Sequence, residues 1–244
     1  MSMNYKIKYI KKTRVSIDAW DLHFEKPESF KYKSGQFIEV NIPQQHPDDR
    51  GQKRWFTLSS SPTESSIDIT TRKLPKHSSF KDYLFKLKKG DEISIKGPDG
   101  SFVLPKNKNN LVWIAGGIGI TPFRSQIKFL TDSKIYDYNI TVLHGNRTLK
   151  DNICRELMTN YEIKNTNFKY VEVLSEDIPN NWDGESGYID EDLIRKYVKD
   201  LKTKHYYISG PEPMVDSMKE KLSSMSVSES NINQDWFPGY TDMF

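Results

Sequence analysis

Cysteine is nearly missing from this chain. Cys154 is the single one in 244 residues, which excludes an internal disulfide and any iron–sulfur cluster held by four thiolates of this chain, and fits a reducing, cytoplasmic setting. The five histidines, His23, His46, His77, His144 and His205, lie far apart, none in HExxH spacing, so no metal site is expected. No run approaches 18 apolar residues, and the opening MSMNYKIKYIKK is charged without an apolar core, so neither a membrane span nor a secretory leader is expected. Charge of one sign is also lacking. Lys and Arg number 36 against 33 Asp and Glu, a net +3 that gives neither a nucleic-acid footprint nor an acidic tail. A G-x-S-x-G elbow, a P-loop and a cysteine–histidine pair are absent, which removes the usual signs of a hydrolase or nucleotide triphosphatase.

What is present divides into two textures. Up to Pro105 the chain alternates short apolar and polar residues (VSID, QFIEVNIP, RWFTLS, SIDITTRK, DEISIKGP, SFVLP) between turn signals, which predicts a compact antiparallel barrel or sandwich over residues 1–105. One helix interrupts it: SSFKDYLFKL spaces Phe80, Leu84 and Leu87 helically, with Ser78 as N-cap. After the polar PKNKNN, apolar strands alternate with helical patterns (LVWIA, PFRSQIKFLTD, NITVLHG, KDNICRELMTNY, FKYVEVL, DEDLIRKYVKDL, HYYISG, EPMVDSMKEKL). Residues 106–244 therefore read as an α/β domain with a parallel sheet flanked by helices and a ligand site at the carboxyl ends of its strands. The first 105 residues carry 19 basic against 13 acidic side chains and the remainder 17 against 20, so the halves differ in sign, net +6 and net −3. A basic half suits an acidic protein or an anionic cofactor, as well as a simply solvated surface.

Three short stretches carry chemistry. In WIAGGIGITPF, Gly116, Gly117 and Gly119 follow a buried strand, Thr121 is placed to cap the next helix and Pro122 suits its first turn. Amides freed by the glycines at a helix N-terminus form a cradle for a pyrophosphate; the same glycines would also serve a tight turn with no ligand, and Pro122 stands where the dinucleotide fingerprint has its third glycine. In YYISGPEPM, Ser209, Gly210 and Pro211 stop a second strand on the same rim. In KRWFTLSSSP, Arg54, Phe56 and Thr57 place a cation, an aromatic ring and a hydroxyl on one short strand, and the serines that follow read as turn formers leading into Pro62.

Taken together and in this order, RWFTLSSSP, GPDGSFVLP, AGGIGITP, HGNRTLKD and ISGPEPM resemble the ferredoxin NADP reductase superfamily over nearly the whole chain. The resemblance implies an FAD-binding Greek-key barrel followed by an NAD(P)-binding α/β domain, and an FAD-dependent NAD(P)H oxidoreductase that moves hydride from nicotinamide to flavin N5 and passes electrons to a separate acceptor. Carried over by position, Arg54 would pair with the FAD pyrophosphate, Phe56 would stack on the isoalloxazine, and Thr57, followed by Leu58, would meet its reacting edge. Thr70, Thr71, Arg72, Ser78 and Ser79 form the second flavin segment. Gly116, Gly117, Gly119, Thr121 and Pro122 would hold the nicotinamide nucleotide, Asn146 and Arg147 its adenosine end, and Ser209, Gly210 and Pro211 its nicotinamide, with serine where many members have cysteine. In DWFPGYTDMF, Trp236, Phe237, Tyr240 and Phe244 compete to cover the flavin face, with Trp236 and Phe237 preferred. Arg147, without a carboxylate at the strand end, tilts the cofactor to NADPH over NADH.

The implied acceptor is an acidic electron carrier such as ferredoxin or flavodoxin, or a diffusible molecule. Alternatives are a flavin reductase, the reductase component of an oxygenase, and a non-catalytic docking or regulatory subunit. A monomer is expected.

Overall fold

The computed structural model describes residues 3–106 and 110–237, and the two textures become two six-stranded sheets. Strands β1 (Met3–Arg14), β2 (Ala19–Glu25), β3 (Phe37–Asn41), β4 (Lys53–Thr57), β5 (Ser66–Arg72) and β6 (Glu92–Asp99) pair antiparallel in the order β4-β3-β6-β1-β2-β5. Alternate residues Ile7 and Tyr9, Leu22 and Phe24, Ile38 and Val40, Ile67 and Ile69, and Ile93 and Ile95 meet in one core, as the period-two pattern requires. The edges of the sheet are brought together just past β4, where the Ser59 N–H donates to the Asp68 carbonyl of β5 (3.0 Å), so the sheet curls into a barrel. Helix α1 (Ser79–Lys86) plugs it with Phe80, Leu84 and Phe85, and the Ser78 hydroxyl accepts the Lys81 N–H.

In the second sheet β7 (Asn110–Gly116), β8 (Asn139–Asn146), β9 (Phe168–Leu174), β10 (Glu185–Ser186), β11 (His205–Pro211) and β12 (Ile232–Phe237) are all parallel, in the order β10-β9-β8-β7-β11-β12. Helices α2 (Thr121–Asp132), α3 (Arg155–Lys164), α4 (Glu191–Tyr197) and α5 (Glu212–Ser224) are the crossovers. Chain order reverses between β7 and β11, and at that switch the connections leave on opposite sides and open a crevice. The glycine turn ends β7 and Ser209-Gly210-Pro211 ends β11, so both motifs flank that crevice.

Several segments depart from the sequence reading. VSID is a turn, in which the Val15 and Ser16 N–H groups both donate to the Ala19 carbonyl (3.0 and 3.3 Å). SFVLP is not a barrel strand but the seam between domains: Phe102 packs against Phe123 of α2 and Tyr207 of β11 (ring centroids 5.5 and 5.1 Å). The helix predicted from Lys150 begins at Arg155, because Leu149–Asp151 forms a separate 3-10 turn with a Thr148/Asp151 capping box. Helix α4 stops at Tyr197, short of Leu201, and Asp200 adopts φ +51°. The DWF that opens the aromatic tail DWFPGYTDMF belongs to edge strand β12.

Helix α2 latches the two domains together. The Ser125 hydroxyl of α2 donates to the Ser60 carbonyl (2.6 Å), Arg124 donates to the Ser59 carbonyl (2.8 Å) and forms an ion pair with Glu64, and Gln126 donates to the Phe102 carbonyl (3.0 Å). Ser59, Ser60 and Ser61 are buried, and the Ser60 hydroxyl also accepts the Asp68 N–H (2.9 Å). The serines therefore do more than lead into Pro62.

Candidate active site

A cleft opens between the domains, lined from the barrel by Arg54, Phe56, Thr57, Thr70, Thr71, Ser78 and Phe80, and from the second domain by Ile118 and Thr121. Phe56 lies stacked against Phe80 (6.0 Å), and the Arg54 guanidinium sits over the same Phe80 ring (5.2 Å). Arg54 is buried and engaged within the barrel: Nη1 on the carbonyls of Arg50, Gly51 and Lys53 (2.8, 2.9 and 2.7 Å), Nη2 on the Asp48 carboxylate (2.7 Å). Asp48 also accepts the Ser79 N–H and hydroxyl at the start of α1 (both 3.1 Å). Burial alone would raise the Asp48 carboxyl, but bonds from Arg54, Ser79 and the Arg50 N–H hold it below the usual range. The Asp48 carboxylate thus stands, as an anionic oxygen pair, where a phosphate was expected. An amide at a helix start, a hydroxyl and a guanidinium around one anion are the donor set a diphosphate needs.

Three residues of the flavin segments lie outside the cleft lining: Ser79, turned to Asp48, and Leu58 and Arg72. The Leu58 side chain is in the barrel core and its N–H donates to the Gln36 carbonyl (2.9 Å). Arg72 is engaged bidentately by Asp18 (2.9 and 2.9 Å).

Across the cleft, β7 ends in a 3-10 turn, Gly117–Ile120, that runs directly into α2. Thr121 is therefore the first helical residue and not a cap; Ile120 occupies the cap position without a side-chain bond, and Pro122 sits in the first turn as predicted. The glycines are required by close approach. A Cβ on Gly119 would lie 2.2 Å from the Ser209 carbonyl oxygen, and one on Gly116 would lie 2.2 Å from the Met214 sulfur. Gly117 has φ +51°, a region that side chains disfavour. The loop is thus pressed onto the end of β11, where the buried Ser209 hydroxyl has no hydrogen-bond partner among the described residues. Further along the rim the amide of buried Asn146 has none either, on nitrogen or oxygen. Arg147 is exposed beside it, and the Glu176 N–H donates to the Arg147 carbonyl (2.7 Å). A backbone cradle with free leading amides and orphaned polar groups on one rim fits a dinucleotide.

The sequence reading missed two residues here. Asp235 of β12 lies close to the Thr57 hydroxyl across the domain boundary; burial pushes its carboxyl up to about 6, with the Thr57 hydroxyl pulling the other way. Asp235 is also in register with Ser209, which is in register with Ala115. Its neighbour Trp236 falls, by strand alternation, on the opposite face from Thr57 and is 44% exposed. The side chain of Phe237, and Tyr240 and Phe244 entirely, lie outside the described residues. Tyr188, 75% exposed, follows β10 on the rim near Asn146. An aromatic beside Gly187 at a strand end was the available signal for it; nothing local marked Asp235.

Comparison with known proteins agrees with this geometry. The profile of the oxidoreductase FAD-binding domain matches residues 6–104 and that of the oxidoreductase NAD-binding domain residues 113–220. Among curated proteins, a subunit of the Na(+)-translocating NADH-quinone reductase of Psychrobacter cryohalolentis is 30% identical over 80% of this chain and 47% of its own length. Its counterpart from Haemophilus ducreyi is 33% identical over 64% of this chain and 39% of its own. The chain thus spans less than half the length of these relatives. Among solved structures, the Neisseria gonorrhoeae ferredoxin NADP+ reductase with bound FAD and NADP superimposes with TM-score 0.79 at 18% identity, over 95% of this chain and 98% of that one. The Amycolatopsis cytochrome P450 reductase GcoB gives 0.82 at 19% identity, over 97% and 71%. With both domains matched, in the family's order and around one shared cleft, the chain belongs to the ferredoxin NADP reductase superfamily of FAD- and NAD(P)-binding oxidoreductases.

Proposed function

We propose that the chain takes hydride from NADH and delivers electrons through FAD to a separate acceptor. The observation that carries this is the shared cleft: Arg54, Phe56, Thr57 and Ser78 line it from the barrel, and Ile118 and Thr121 line it from the rim where β7 stops. When both cofactors are bound, the nicotinamide supplies hydride and the flavin receives it and passes electrons on. Arg54, Ser78 and Ser79 hold the FAD diphosphate once Asp48 has moved aside, Phe56 backs the ring, Thr57 faces its reacting edge, and Thr70 and Thr71 flank it. Leu58 and Arg72 support these positions from behind. Asp235 orients the Thr57 hydroxyl and holds a proton beside it. Gly116, Gly117, Gly119, Thr121 and Pro122 carry the nucleotide diphosphate, Ser209 with Gly210 and Pro211 lines the nicotinamide, and Asn146 with Tyr188 takes the adenosine, the tyrosine as a stacking platform. Outward-facing Trp236 is not assigned to the flavin face.

The choice of NADH over NADPH rests on Glu176. Its backbone bond to Arg147 brings an acidic residue beside the only cation assigned to that end, where a carboxylate favours ribose hydroxyls and opposes a 2′-phosphate. The relatives are also named as parts of an NADH-quinone reductase. Purified protein is expected to be yellow and to bleach anaerobically with NADH at a kcat/KM at least tenfold above that with NADPH. Protein that stays colourless with added FAD would point instead to a docking or regulatory subunit, and a preference for NADPH would restore Arg147 as a phosphate partner.

The acceptor is an acidic electron-carrier protein docking on the barrel half, net +6. A quinone-reducing assembly is the second reading, on the relatives' names. Carrier reduction that slows steeply with added salt supports the first; salt-insensitive reduction supports the second. A cytoplasmic monomer completes the proposal, consistent with a lone, buried Cys154; among the described residues no helix is long and apolar enough to cross a membrane.

A further inference from the structure

Beneath the glycine loop lies a buried chain of hydrogen bonds with no part in the roles assigned to the cofactor residues. His144 of β8, fully buried, places Nε2 3.0 Å from the Gly117 carbonyl oxygen and Nδ1 3.0 Å from the Tyr170 hydroxyl of β9. Asn152 Nδ2 donates to that same hydroxyl (2.7 Å) and to Glu172 (2.6 Å), and Glu172 accepts Arg155 Nε (2.8 Å) at the surface. Donor and acceptor chemistry gives the chain one direction. A carbonyl only accepts, so His144 carries its proton on Nε2; Nδ1 is then an acceptor and takes the Tyr170 O–H, and Tyr170 oxygen accepts from Asn152. Burial keeps the imidazole in this neutral form, lowering its pKa to about 4.

We infer that His144, held by Tyr170 and Asn152, is a positioning residue for nucleotide binding. One peptide plane carries the effect. In a trans peptide the carbonyl of Gly117 and the N–H of Ile118 point in opposite directions. Tying the carbonyl down to His144 turns the Ile118 N–H away from the sheet, toward the cleft that Ile118 lines, and that amide leads the 3-10 turn, where no intrahelical acceptor awaits it. Gly117 adopts φ +51°, and the His144 bond to its carbonyl (3.0 Å) is what fixes the peptide plane that follows it. The network ends at Glu172 and Arg155, and Arg155 lies over Trp182 in the loop after β9 (5.9 Å), so the anchor spans from the diphosphate loop to the adenosine rim.

This inference rests on the reading of the loop as an NADH site, and the test separates the two. NAD+ affinity is measured by titration calorimetry on the purified, FAD-loaded chain, with exchange of the Ile118 amide as a second readout and Tm as a folding check. His144→Phe, which keeps the ring and loses the donor, is expected to weaken NAD+ at least tenfold and raise KM for NADH, with kcat at saturation within about twofold. His144→Gln, which returns an N–H near the Nε2 position, recovers most of the affinity. Tyr170→Phe weakens it about threefold and keeps the test open if His144→Phe fails to fold. If His144 merely fills space, Phe binds NAD+ like wild type and Gln is worse; that result overturns the inference and leaves the NADH reading intact. If wild type neither binds NAD+ nor bleaches with NADH, both fall.

Discussion

At the barrel's anion cradle, Arg54 and Ser79 are met by the Asp48 carboxylate; across the cleft, the glycine loop offers backbone amides, and the Ser209 hydroxyl and Asn146 amide beside it lack partners among the described residues. The first cradle is built from side chains that satisfy one another, and on the proposed reading FAD enters by displacing a protein carboxylate. The second is built from backbone curvature, possible only because Gly116 and Gly119 have no Cβ. Substitution should therefore tune the first and abolish the second.

The largest effect is expected at Gly119. Its alanine variant would force a methyl onto the Ser209 carbonyl, so NADH-driven flavin reduction should drop at least 100-fold while dithionite still reduces the flavin. Gly117→Ala, with open space but a left-handed backbone, should cost about 1–2 kcal/mol and a smaller loss. Equal behaviour of the two would remove close approach as the reason for the motif.

Asp235→Asn comes next, at the point where the two cradles meet. The folded chain keeps this carboxyl protonated up to about 6, whereas the unfolded chain releases the proton near 3.8, so stability from this group is complete below about 3.8 and is lost as pH rises through 6. The asparagine variant should thus gain Tm over wild type above pH 6, yet reduce flavin about tenfold more slowly and without an inflection near pH 6. A variant with wild-type rate and pH profile would leave Asp235 a purely structural residue.

The smallest effect is expected from Asp48→Ala, which should tighten FAD severalfold by removing the competing anion. Unchanged or weaker FAD affinity would mean that Asp48 organises the cradle instead of occupying it.

Residues whose placement follows from local pattern were legible in the sequence. Arg54, Phe56 and Thr57 share one strand and Ser78 precedes a helical repeat, and all four line the cleft; the glycines follow an apolar run and end β7, where Ile118 and Thr121 line its other side. What escaped depends on pairing between distant segments. INQDWF has no strict alternation, so neither β12 nor the approach of Asp235 to Thr57 could be read from it. Ser60 looked like a turn residue, because its carbonyl's partner, Ser125, is 65 positions away. Phe102 alternated like a barrel residue, yet its ring belongs to the other domain's core.

The latch from Ser59, Ser60 and Glu64 to Arg124 and Ser125 has a consequence for how the enzyme comes to exist. It ties the segment just after the flavin strand to the helix that opens at the nucleotide loop, through bonds that neither half can make alone. The separation between the two cofactors is therefore set when the chain folds and is inherited by every turnover. Errors in synthesis or folding of either half should register first as a misaligned junction, before any loss of affinity for FAD or nucleotide.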